Sequence, residues 1–213
     1  MKDQKVTTLK KVWGYDEFRP LQESIIDNII QGKDVLALLP TGGGKSICYQ
    51  LPAILLEGVC IVISPLIALM KDQVEQLRLR NVNVEFINSS LNNKNIDRIL
   101  DNCIYGNIKL LYISPERIQT TIFKERFKRM NVSFIAVDEA HCISQWGYDF
   151  RPQYRNINLL KEWKPELSFM ALTATATAKV TEDIMKQLSF KKENVIRKSF
   201  QRTNIFYQTI KCE

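Results

Sequence analysis

The chain has 213 residues, 45% of them apolar and 25% charged, a balance that suits one large α/β domain with a full core, or one domain with an extension. No stretch approaches the roughly 18 consecutive apolar residues of a membrane span, and Met1-Lys-Asp-Gln-Lys5 leads into no apolar signal core, so a cytoplasmic location without a membrane partner is expected. The net charge of +7 is mild support for a polyanionic partner, while five scattered cysteines (Cys48, Cys60, Cys103, Cys142, Cys212) without a C-x-x-C pair argue against disulfide frameworks and zinc sites.

Residues 7–31 read as two helices broken at Gly14, the second started by Arg19-Pro20, because proline suits a first helical turn. Residues 35–39 form an apolar β-like run that feeds three glycines, and a helical pattern opens at Lys45 and Ser46. A regular alternation follows: strands over 59–63, 84–87, 109–113, 133–137 and 167–172, with helices over 65–80, 92–105 and 177–188. Strands alternating with helices of ten or more residues predict an α/β fold, a mostly parallel sheet with helices on both faces. The pattern divides into a helical segment over 1–31, an α/β domain over 32–200, and a segment over 201–213. From the end of that domain, residues 200–210 begin a new extended run, as if a further domain were to follow.

The stretch from Val35 to Gln50 organises the rest. A strand, a glycine-rich turn and a helix N-terminus are what a phosphate-cradling loop requires. Thr41, Gly42, Gly43 and Gly44 supply curvature without Cβ clashes, Lys45 would reach the β- and γ-phosphates, and the Ser46 hydroxyl would ligate Mg²⁺. The common pattern places a glycine five residues before Gly44; here that residue is Leu39, so the loop is a variant. About 90 residues downstream, the strand over 133–137 ends in Asp138-Glu139-Ala-His141. Asp138 stands where open α/β sheets place ligands and would hold the metal, leaving Glu139 to orient or deprotonate the attacking water. His141, the single histidine, reads as a hydrogen-bonding coupler beside that glutamate.

Three further stretches admit two readings each. Ser64-Pro65 and Ser114-Pro115 each follow a buried strand; the serines read as helix caps, and as hydroxyls at the sheet rim that could grip a nucleic-acid backbone. In Gln145-Trp146-Gly-Tyr148-Asp-Phe150-Arg151-Pro152 the aromatic residues alternate as on a strand face. Gly147, Asp149 and Pro152 nevertheless favour a loop, whose rings and arginine could stack on unpaired bases. Thr173-Ala-Thr175 is either a strand end with a cap or a relay beside the γ-phosphate. The basic run Arg117, Lys124, Arg126, Lys128, Arg129 reads as a solvated helix face.

Taken in order, six stretches resemble the first RecA-like lobe of a superfamily 2 helicase of the RecQ family. They are Gly14 to Gln22, Pro40 to Ser46, Ser64 to Val74, Tyr112 to Arg117, Asp138 to Pro152 and Leu172 to Thr177. The resemblance implies an ATP-driven DNA helicase moving 3′ to 5′, with Mg-ATP as cofactor and single-stranded or partly duplex DNA as substrate. It assigns adenine recognition to the region of Tyr15, Arg19 and Gln22, and a link between DNA binding and hydrolysis to Trp146, Phe150 and Arg151. It implies relay roles for Thr173 and Thr175, and a second RecA-like lobe carrying an arginine finger. A P-loop small-molecule kinase and a non-catalytic nucleic-acid-binding module are the rival readings.

Overall fold

The computed structural model describes residues 2–88 and 90–198. Two helices lead, α1 (Lys2–Trp13) and α2 (Gln22–Ile30), and a strict alternation follows. It runs through β1 (Val35–Leu38), α3 (Lys45–Leu55), β2 (Val59–Ile63), α4 (Ile67–Leu79), β3 (Val84–Ile87), α5 (Asn93–Tyr105) and β4 (Leu110–Ile113). A 3₁₀ turn (Pro115–Gln119), α6 (Thr121–Arg129) and β5 (Val132–Val137) come next. Two further 3₁₀ turns, Ala140–Ile143 and Pro152–Ile157, precede α7 (Asn158–Trp163), β6 (Phe169–Thr173), α8 (Ala178–Gln187) and β7 (Val195–Arg197). The extended run expected over 200–210 lies outside the described residues.

Among the described residues seven strands form one sheet in the order β3-β4-β2-β5-β6-β1-β7, and every pairing there is parallel. The expectation of a mostly parallel sheet is therefore met, and exceeded. Alternate side chains of each strand serve opposite faces, as the period of two demands. Leu36, Ile61, Leu111, Ile135 and Ala171 pack with residues of α5, α6 and α8. Their neighbours Ala37, Val62, Tyr112, Ala136 and Met170 pack with Ile25, Tyr49 and Val74 of α2, α3 and α4. Leu9 of α1 meets Ile26 and Leu51, so the leading helix lies outside the α2–α3 layer.

Helix starts depart from expectation. Helix α2 begins at Gln22, after a left-handed Leu21 (φ 73°), and not at Arg19-Pro20. Helix α4 begins at Ile67 with an extended Leu66 before it, so Ser64 is not its cap; Ser64 is buried, at 2% exposure. Ser114 does precede a 3₁₀ turn, but its side chain makes no capping hydrogen bond. Ser114, before Pro115, has the extended backbone that an N-cap also takes, so backbone does not account for its missing bond, and α4 starts late because Leu66 is itself extended. The short edge strand β7 has no counterpart in the sequence pattern, because three residues with one half-buried position carry no period.

One buried ion pair ties the far edge together. Lys161 donates to Asp34 at 2.9 Å, and Asp34 also accepts from the backbone N–H groups of Phe169 and Lys191. The lysine ammonium lies 5.1 Å from the Phe169 ring centroid. A single carboxylate thus joins α7 and the starts of β1 and β6.

Candidate active site

Parallel strands send all their C-terminal ends to one edge. Along it stand, in sheet order, Ser114 after β4, Ser64 after β2, Asp138 after β5, Thr173 ending β6 and the glycine turn after β1. Strand spacing of about 4.8 Å puts the β1 and β5 loops roughly 10 Å apart. The two clusters that the chain separates by some ninety residues therefore meet.

The glycine turn is held from below. Gly43 donates to the Pro40 carbonyl at 2.9 Å, and Gly42 and Gly44 take left-handed φ values of 75° and 78°, open to glycine at little cost. Arg19 hydrogen-bonds the Gly42 carbonyl, and Gln22 Nε2 donates to the Gly44 carbonyl at 3.0 Å. A side chain at Gly44 would collide with Gln22. Gln22 is 2% exposed, and its Oε1 accepts from the Arg19 backbone N–H at 2.9 Å. The resemblance assigns this carboxamide to adenine; here its Nε2 end braces the phosphate loop and its Oε1 end the Arg19 backbone. Tyr15 is exposed, next to this brace in sequence.

Across β6 lies the acidic pair. Burial, reinforced by the neighbouring Glu139 charge, raises the Asp138 carboxyl to about 6, while Lys45 pulls it back. Glu139, in a left-handed conformation (φ 47°), is held below its ordinary value, first by the His141 hydrogen bond and further by Lys45. One environment favours the neutral form of Asp138 and the other the anion of Glu139, so the two carboxyls are chemically distinct. The Lys45 charge acts on both carboxyls, in keeping with two loops that meet at one sheet edge.

His141 Nδ1 stands 3.3 Å from Glu139 Oε2 and 2.8 Å from Thr173 Oγ1. Thr173 in turn accepts from the Thr175 N–H and donates to its carbonyl, both at 3.2 Å. The predicted coupler and the predicted relay are thus in contact. The neighbouring Tyr154, unflagged by sequence, donates its buried hydroxyl to the Asp138 carbonyl at 3.1 Å.

The aromatic stretch is a loop, which removes the strand reading. Trp146 is 63% exposed, Tyr148 fully so, and Phe150 half-buried beneath the Arg155 guanidinium. The loop closes on the Ala140–Ile143 turn, where the Arg151 N–H donates to the Cys142 carbonyl at 2.9 Å. The Arg151 side chain is held by Asp149 (2.9 Å) and reaches the Pro65 carbonyl (3.1 Å). Gly147 is there for space: a Cβ would strike the His141 carbonyl oxygen. The loop after β5 therefore touches both neighbours on the edge, β6 through His141 and the segment after β2 through Arg151.

The basic run turns out to be structural and solvated in turn. Arg126 pairs with Asp97 and Asp101, Lys124 covers Trp163, and Arg117 donates to the Asn88 carbonyl. A cavity of about 760 Å³ lies at the opposite edge of the sheet, lined by Gly58, Asn83, Lys109 and Asn131. None of the site residues above lines it.

A phosphate loop on β1, Asp-Glu-Ala-His on β5 and Thr-Ala-Thr on β6 now stand together at one edge. Residues 19–184 match the DEAD/DEAH box helicase family. The chain belongs to that family. As a DEAD/DEAH box domain it is 45% identical, over 99% of its length, to an "ATP-dependent DNA helicase RecQ" of Pasteurella multocida (strain Pm70), and covers 33% of that protein. It is 47% identical, over 96% of its length, to the RecQ helicase of Bacillus subtilis (strain 168), covering 35% of it. The chain thus spans about a third of the length of the curated relatives it matches. In fold, it matches the crystal structure of the DUF1998 helicase MrfA bound to DNA, with a TM-score of 0.71 at 18% identity. That match covers 92% of this chain and 29% of the other. Among the described residues no helix is long and apolar enough to cross a membrane.

Proposed function

We propose that this chain is the nucleotide-hydrolysing lobe of a cytoplasmic ATP-dependent DNA helicase that moves 3′ to 5′ along single-stranded DNA. One observation carries the reading. His141 lies between Glu139 and Thr173 at the nucleotide edge, and the aromatic loop that follows it closes on its own turn. Hydrolysis chemistry and strand contact then share one short backbone segment.

The roles follow from geometry. Gly42, Gly43 and Gly44, braced by Arg19 and Gln22, would present backbone N–H groups to the β- and γ-phosphates. Lys45, already within electrostatic reach of both carboxyls, would offset charge on the transferring phosphoryl group. A hydroxyl at Ser46 and a crowded, partly buried carboxylate at Asp138 form an oxygen donor set that fits Mg²⁺, better than it fits a soft metal. When bound, Mg²⁺ neutralises charge on the β- and γ-phosphate oxygens. Glu139, kept anionic by His141, would orient the attacking water and accept its proton. Tyr15 and Arg19 would meet the adenine, and Gln22 would do so by exchanging one of its present partners. Ser114, Trp146, Phe150 and Arg151 would face the strand, with stacked bases contributing about 1–3 kcal/mol each, while the buried Ser64 would support that rim from beneath. A second RecA-like lobe would complete the motor.

The test is ATP hydrolysis by the full-length protein with and without single-stranded oligonucleotides. DNA-stimulated turnover that disappears in Lys45→Ala is the expected result. Turnover indifferent to DNA would favour a P-loop small-molecule kinase. DNA affinity without ATP binding would favour a non-catalytic binding module.

A further inference from the structure

Helix α8 grips the aromatic loop at two residues, Ser144 and Trp146. The Trp146 N–H donates to Ser144 Oγ at 3.2 Å, and the buried Ser144 hydroxyl donates to Asp183 Oδ2 at 2.6 Å. The other oxygen of Asp183 accepts from Gln187 Nε2 at 3.3 Å, which fixes the carboxylate on the helix. Four residues earlier, and so on the same helix face, Lys179 places its ammonium 3.1 Å from the centroid of the Trp146 ring. The Trp146 ring is therefore held by α8 directly, through Lys179, and its backbone indirectly, through Ser144. One ring face is occupied by Lys179, and with 63% of the residue exposed the other faces solvent.

The same helix is rooted in the nucleotide edge. Its N-cap is Thr177, whose hydroxyl accepts from the Val180 N–H at 3.3 Å. Thr177 lies two residues past Thr175, which Thr173 binds, and Thr173 meets His141. A shift of Thr173 and Thr175 would carry the first turn of α8, and Lys179 with it.

We propose that Lys179 and Asp183 are positioning residues that hold the Trp146 ring ready for a stacked base and carry its engagement through α8 to Thr173 and His141. This rests on Trp146 being a single-strand contact. Lys179 acts by its positive charge on the ring face and Asp183 by its hold on Ser144, so neither need touch DNA.

Two measurements test it. In full-length protein carrying Trp13→Phe and Trp163→Phe, Trp146 is the reporter within residues 1–213, and any tryptophan beyond them is likewise replaced by Phe. Lys179→Ala should raise acrylamide quenching of Trp146 and lower its anisotropy, with Lys179→Arg restoring both because a guanidinium occupies the same face. Unchanged quenching overturns the clamp. With the native tryptophans, Lys179→Ala and Asp183→Asn should raise the oligo-dT concentration for half-maximal ATPase stimulation by about threefold to tenfold. Lys179→Arg should stay near the parent. Stimulation lost in Trp146→Ala but intact in both α8 variants overturns the coupling. Stimulation intact in Trp146→Ala removes the DNA contact itself, and the clamp then stands or falls on the quenching result.

Discussion

His141 Nδ1 lies 2.8 Å from the hydroxyl of Thr173, joining the loop after β5 to the end of β6 across 32 residues of chain. Thr173 is fully buried and also serves the Thr175 backbone. Replacing it with valine keeps the shape and removes every one of those bonds. We expect Thr173→Val to cost about 1 kcal/mol of stability and to cut DNA stimulation of hydrolysis about tenfold, more than it cuts DNA-free turnover. Paired ATPase assays with and without oligo-dT check this; equal losses would leave the bond merely structural.

Gly147 lets the aromatic loop fold back against the His141 carbonyl. Gly147→Ala forces backbone apart from backbone, with no flexible side chain to yield. A stability loss of about 1–3 kcal/mol is expected, with loss of DNA stimulation. Urea unfolding gives the first and ATPase titration the second.

The Asp34–Lys161 pair makes an asymmetric prediction. Removing Asp34 strands a buried ammonium and two backbone N–H donors, whereas Lys161→Met leaves Asp34 with both N–H bonds. Asp34→Ala should cost about 3–5 kcal/mol, and Lys161→Met distinctly less. Equal costs in urea unfolding would show that the backbone bonds contribute little.

Buried thiols set an alkaline limit. Burial raises Cys48 and Cys103 to about 12 and Cys60 well above its ordinary value of 9.0. Their folded values exceed the unfolded ones, so their stabilising effect is complete below the unfolded value and drains away as pH rises above about 9. At pH 10 each thiol should cost about 1 kcal/mol relative to pH 8. Urea unfolding at the two values measures this, and Cys103→Ala should flatten the slope.

Local pattern carried much of this molecule. Six of seven strands, the phosphate loop and the Asp138–His141 element are visible in sequence because each depends on neighbours within a few residues. The aromatic stretch could be called a loop from Gly147, Asp149 and Pro152 alone. The reading fails at Ser64-Pro65: α4 starts two residues after Pro65 because Leu66 is extended, and no short-range pattern marks that. Tyr154, Lys179 and Asp183 had no signal to offer, since an interior tyrosine and charges on a helix are ordinary in any sequence.

By itself, the sequence marked candidate residues for phosphate, metal and water, and predicted that the strands between helices would run mostly parallel. Folding alone decided who stands beside whom: β6 between β1 and β5, Gln22 under Gly44, His141 against Thr173, Lys179 on Trp146. The physical reason is range. Periodicity and turn chemistry act over a few residues, whereas the three side-chain pairs lie 22 to 33 positions apart, β1 and β6 farther still, and all meet only when the whole sheet has buried its two faces.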